Sequence, residues 1–137
     1  MNLLIIPIIA MTLHRPVDRV NLIYTYAPIE KVFNCAIVEG ESRFNPKALN
    51  KNIKNGIILS TDWGYYQLND RHHPQFRDDI KAHVEYGSDF VTRLIMEAKG
   101  NYRKALRGYN AGHAYPDYIM AIFERIKSAI ILDRRYR

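Results

Sequence analysis

The chain has 137 residues, 47% of them hydrophobic and 25% charged, which suits one globular domain with one core. Twenty basic against fourteen acidic side chains give a net charge of +6, suited to an anionic partner: nucleic acid, a membrane surface or an acidic envelope polymer. No repeat, charge block or low-complexity run is present, and the single cysteine excludes an internal disulfide. The basic residues are scattered; the small cluster at Arg134, Arg135 and Arg137 reads as a solvated chain end.

Residues 3–11 form an apolar run too short to span a bilayer. The segment 1–11 is therefore either the apolar part of an export signal, without the usual basic start, or a buried opening segment. The domain proper is taken as residues 12–137. Val17, Val20, Ile23, Tyr24 and Ala27 recur at helical spacing, and Pro28 closes that helix.

Ile29, Val32, Phe33, Ala36 and Ile37 follow i, i+3, i+4, i+7, i+8, one face of a second helix. Cys35 on this helix reads as a packed thiol. Glu41 falls at i+4 from Ile37, on the edge of the apolar stripe. Glu39 falls about 200° from Ile37, on the expected wet side. Asn45-Pro46 is expected to stop the helix. A carboxyl pushed out of an apolar face tends to keep its proton, which is what a general acid needs.

Helical spacing then vanishes. Asn55-Gly56 signals a tight turn and Ile57-Ile58-Leu59 a short strand, so a small hairpin is predicted over 47–60. The stretch Ser60 to Asn69 interleaves aromatics with Asp, Gln and Asn, the chemistry of a sugar groove. The alternative is an amphipathic hairpin with Trp63 and Tyr66 in the core. His72 and His73 are adjacent and lack metal-ligand spacing, so no metal site is expected.

Asp78 or Asp79 caps a long helix with the stripe Ile80, Val84, Gly87, Phe90, Val91, Leu94, Ile95 and Ala98; Gly100 ends it. Gly87 costs about 1 kcal/mol of helix propensity and suggests close approach of another backbone. Asn101 caps a helix carrying Tyr102, Ala105, Leu106 and Tyr109. The last helix opens near Pro116-Asp117 and continues through Ile130. The predicted fold is mainly α, a helical domain with one small β-hairpin region.

Three motifs now stand in order. Glu41-Ser42-x-Phe44-Asn45-Pro46-x-Ala48, Gly64-Tyr65-Tyr66-Gln67-Leu68-Asn69 and Ala105-Leu106-x-x-Tyr109-Asn110-Ala111-Gly112 resemble those of soluble lytic transglycosylases and goose-type lysozymes. The resemblance covers about residues 17–126. It implies an α+β, lysozyme-like fold with a sugar-binding groove. It also implies cleavage of the β-1,4 bond between N-acetylmuramic acid and N-acetylglucosamine in peptidoglycan. Glu41 would be the catalytic acid/base. Ser42, Tyr66, Gln67, Tyr109, Asn110 and Tyr118 would support or line the groove. No cofactor is implied, and no nucleic-acid partner is expected. The implied partner is the peptidoglycan glycan strand, in the bacterial periplasm or envelope or with a phage, in company with an envelope-spanning secretion or phage machine.

Two departures stand out. The family's usual Leu-Met is replaced by Tyr65-Tyr66, expected to alter the groove surface, and its Asn-Ile by His83-Val84. Ser60-Thr61-Asp62 also resembles chicken-type lysozymes, in which the Asp is a second catalytic carboxylate. Those enzymes rely on disulfides and lack the Tyr-Asn-Ala-Gly motif, so the transglycosylase resemblance comes first, with Asp62 as candidate helper. The rivals are a lysozyme-type hydrolase, a basic helical nucleic-acid-binding protein, and a domain that holds glycan without cutting it.

Overall fold

A computed structural model describes residues 4–135, and among them six helices and one three-stranded antiparallel sheet form. In chain order these are α1 (Ile5–Leu13), α2 (Val17–Tyr26), α3 (Lys31–Ser42), β1 (Leu49–Lys54), β2 (Ile57–Trp63), β3 (Leu68–Asn69), α4 (Ile80–Glu97), α5 (Tyr102–Tyr109) and α6 (Tyr115–Arg135). The expected mainly α, lysozyme-like architecture is what forms. No helix among the described residues is long and apolar enough to cross a membrane.

The apolar run near the start is α1. Ile8, Ile9, Ala10 and Leu13 are buried, and the helix packs on α2 and α6. Met1 to Leu3 of the segment 1–11 lie outside the described residues, as does Arg137 of the basic cluster.

Helix α3 runs through the core, with Phe33 to Val38 all buried, Cys35 included. Phe33 meets Tyr102 at 4.7 Å and Phe123 at 5.2 Å between ring centroids, joining α3 to α5 and α6. Burying one such side chain stabilises the fold by about 1.5–3 kcal/mol. The helix begins at Lys31, so Ile29 lies before it and is exposed.

It also ends earlier than Asn45-Pro46 suggests. Arg43 (φ 52°) and Phe44 (φ 57°) are both left-handed. Such a conformation costs a non-glycine residue about 1–2 kcal/mol. The turn seats the Phe44 side chain in the core, fully buried, and Arg19 Nη1 donates to the Phe44 carbonyl at 3.1 Å. That burial is of a size to offset the strain.

Glu39 corrects the expectation from the wheel. It is buried, 8% exposed, and Arg15 grips it bidentately, Nε to Oε2 and Nη2 to Oε1, each at 2.8 Å. The wheel describes α3 alone, whereas the residue that covers this side follows α1.

The tight turn forms where expected, with Asn55 at φ 52° and Gly56 at φ 74°. β1 and β2 pair from Lys54↔Ile57 to Leu49↔Trp63, with a bulge at Asn52/Ile53. β3 adds Asp62↔Asn69 and Trp63↔Leu68. Asp79 rather than Asp78 caps α4, accepting from the Ala82 N–H, and Asn101 caps α5. Gly87 does allow a close approach, but of a ring rather than a backbone. A Cβ there would stand 2.4 Å from Tyr66 ring atoms.

Candidate active site

Glu41 sits in the last turn of α3, half-buried, where the helix meets the sheet. Two adjoining lobes open from it, of about 520 and 500 Å³, and both are lined by Glu41, Asp62, Gln67 and Asn110. Each is the size of a ligand site. One lobe continues over Asn52, Ser60, Asn69, His73, Phe90 and Tyr109. The other continues over Arg43, Leu49, Asn50, Tyr115 and Tyr118. A chain laid along this groove passes Glu41 at the junction.

Desolvation raises the pKa of Glu41 from 4.5 to about 7. The Tyr115 hydroxyl works the other way, favouring the ionised form, and the charge of Asp62 adds to the rise. Tyr115 Oη is itself buried and makes no hydrogen bond of normal geometry, although it lies near enough to act on Glu41. Near neutral pH the Glu41 carboxyl is thus divided between acid and base forms, the state suited to a group that must do both.

Asp62 lies on β2 with both carboxylate oxygens engaged. Asn69 Nδ2 donates to Oδ1 at 2.8 Å, and Asn52 Nδ2 donates to Oδ2 at 3.2 Å. The same two amides also donate to Ser60 Oγ. Strand alternation explains the grouping: Asn52 faces Ser60, and Asp62 faces Asn69, across the ladders. The sheet thus presents a polar wall to the groove.

Gln67 takes a left-handed conformation (φ 49°) and donates through Nε2 to the Ala48 and Gly64 carbonyls. It ties the first motif to the second beneath the groove. Asn110 caps the end of α5, and its Oδ1 accepts the Gly112 N–H at 2.8 Å. Ser42 is buried and donates to the Val38 carbonyl, which supports the helix end. Tyr118 is 46% exposed and lines the second lobe.

Two expected groove residues have structural employment. Tyr66 is fully buried: its hydroxyl donates to Asn34 Oδ1 at 2.9 Å and its N–H to His83 Nε2 at 3.1 Å. It is a core residue in place of a substrate contact, and with Tyr65 also buried the Tyr65-Tyr66 departure changes the core rather than the groove surface. Tyr109 does line the first lobe, yet its hydroxyl donates to the Tyr66 carbonyl. Its ring stacks with Tyr115 at 6.2 Å and 7° between planes.

Sequence reasoning missed Tyr115 and Asn52. Tyr115 stands one residue before the expected start of the last helix, so the wheel never included it. Asn52 gave its signal only as strand alternation with Asn50, in a stretch read as a small hairpin from its turn and from Ile57-Ile58-Leu59.

Comparison with curated proteins and with solved structures returned no match. A family model does match: that of the transglycosylase SLT domain, over residues 25–117, which takes in all three motifs and both carboxylates. Its members have transglycosylase-type activity on peptidoglycan, and the chain belongs to this SLT domain family.

Proposed function

We propose that the protein is a peptidoglycan lytic transglycosylase that cleaves the β-1,4 bond between N-acetylmuramic acid and N-acetylglucosamine, with Glu41 as general acid and base. The observation that carries this is the Glu41 carboxyl, shielded and titrating at about 7, where the two lobes of the groove join. Glu41 donates its proton to the glycosidic oxygen as the bond breaks. The acetamido oxygen of the muramic sugar traps the developing cation. Glu41, now a carboxylate, takes the proton of that sugar's C6 hydroxyl. The C6 oxygen closes onto C1 as the bond from C1 to the acetamido oxygen breaks, which restores the acetamido group and leaves a 1,6-anhydro end, with no water consumed. Gln67, Asn110 and Tyr118 line the path of the strand. Such a substrate lies in the bacterial envelope, so the enzyme acts there, exported or carried by a phage.

The second reading is a lysozyme-type hydrolase with Asp62 as the second carboxylate. It is favoured by one observation: Asp62 shares both lobes with Glu41 and is fixed by two amides. Mass analysis of digested peptidoglycan separates the two, because anhydro and hydrated ends differ by one water. Anhydro ends are expected from the wild type. Asp62→Asn should retain them and lose about tenfold or less in rate, near 1.4 kcal/mol of barrier. Hydrated ends only, with Asp62→Asn as inactive as Glu41→Gln, would establish the hydrolase instead.

A further inference from the structure

Beside the groove, and sharing Ala48 with its second lobe, is another cavity of about 160 Å³. Its apolar wall is Pro46, Ala48, Phe76 and Ile80. Trp63 Nε1–H is buried and has no acceptor, a condition that native folds rarely leave unexplained. His83 is 7% exposed, and its Nε2 accepts the Tyr66 N–H, so the proton of the neutral ring sits on Nδ1. Burial lowers the His83 pKa to about 4, which keeps the ring neutral at pH 7. His83 lines the cavity as a neutral ring.

Two cations complete it. The Arg77 guanidinium lies over the Trp63 ring at 3.8 Å from its centroid. Its pairing with Asp70 is long, 3.8 Å, and half-exposed, so it holds the guanidinium weakly. Lys47 is exposed and also lines the cavity, whereas no Asp or Glu does. Gln75 spends its Nε2 on the Leu68 and His73 carbonyls.

We infer that this cavity is a second binding site, for the carboxylate end of a short aliphatic chain. One buried N–H donor without an acceptor and two cations, with no carboxylate in the lining itself, select an anion. The apolar wall selects a methyl-sized group beside it. The cavity is about a third the size of either groove lobe, room for a chain end beside the indole. Resting on the proposed function, the ligand is the alanyl carboxylate that ends a peptidoglycan stem peptide. The site then holds the peptide while the groove holds the glycan.

Trp63 is the only tryptophan, so its indole N–H gives one isolated NMR signal. The full chain is titrated with N-acetyl-D-alanine. A saturable shift of that signal is expected as the N–H gains an acceptor, with the uncharged N-acetyl-D-alaninamide binding far more weakly. Arg77→Gln should weaken binding about fivefold, the order expected for one half-exposed charge. Ile80→Phe, at a partly exposed position, should fill the cavity and abolish the shift without unfolding the chain. No saturable shift, or equal binding of the amide, overturns the site. Stronger binding of N-acetyl-L-alanine overturns the stem-peptide assignment in favour of a protein C-terminus. Failure at Trp63 with wall digestion intact removes this site alone; loss of digestion in the controls with the titration intact removes the groove assignment.

Discussion

Glu41 faces two opposed requirements: it must be dry enough to hold a proton near neutrality, yet exposed enough to touch a sugar. The dryness has a thermodynamic signature. Its carboxyl titrates at about 7 in the fold against 4.5 for the ordinary group. The folded state therefore binds the extra proton, so stability falls as pH rises from about 4.5 through 7 and then levels off. Glu41→Gln removes this penalty. At pH 8 the variant should be more stable than wild type, by at most about 3 kcal/mol, and at pH 4 the two should melt alike. The same variant should no longer clear a suspension of purified cell wall; retained clearing would remove Glu41 from the chemistry. Wild-type activity should fall above pH 7 as the acid form is lost. Glu39→Gln should do the reverse, keeping activity per folded molecule while losing stability. Removing one partner of a buried pair costs about 3–5 kcal/mol, less here because Arg15 is partly exposed, so about 2 kcal/mol is expected. A melting temperature unchanged from wild type would mean the pair is idle. Glu41 was legible because its own helix places it at the stripe edge. Glu39 was not, since its partner lies 24 residues away and no wheel contains it.

Helix α4 shows how an element outside the groove holds it in shape. Its glycine looks like a weakness, and propensity alone says Gly87→Ala should gain about 1 kcal/mol. The Tyr66 ring occupies that space, with atoms 2.4 Å from the position a Cβ would take. Tyr66 is tethered to Asn34 on α3 and to His83 on α4, so it cannot swing clear. Overpacking of this kind costs about 1–3 kcal/mol. Gly87→Ala should therefore destabilise on balance. It should also lower turnover, because the Tyr66 carbonyl anchors Tyr109 and Tyr109 stacks on Tyr115 beside Glu41. A stabilised, fully active Gly87→Ala protein would refute this path. The stripe of α4 was plain from spacing, as was a cap at Asp78 or Asp79 without a choice between them, and so was the Asn55-Gly56 turn. β3 was not, because two residues are too few for alternation to register. Tyr66 stood ambiguous between groove and core because composition does not say which side of a turn a ring enters.

The whole molecule carries a net charge of +6 on a fold whose groove runs between the sheet and α5. In sequence the cations look scattered, and the fold gives some of them a common setting. Lys51 and Lys54 are exposed on β1, and Lys104 and Arg107 are exposed on α5, so both flanking elements bear positive charge. Arg103 is the exception on α5, since it pairs with Asp117. Exposed charges of this kind act at a distance and are screened as the Debye length shrinks from about 10 Å at 0.1 M salt to about 3 Å at 1 M. Glu41→Gln protein, which should hold glycan without cutting it, should therefore pellet with insoluble peptidoglycan less efficiently as salt rises. Replacing Lys51 and Lys54 by Gln should flatten part of that dependence while changing stability by no more than about 0.5 kcal/mol, as is usual for surface changes. Polar groove contacts are short-ranged and persist in salt, so a residual bound fraction should remain at 1 M. A response flat from the start would show the charge to be incidental to wall binding. Retention that vanishes in salt and is displaced equally by DNA would instead favour a general polyanion binder over a glycan groove.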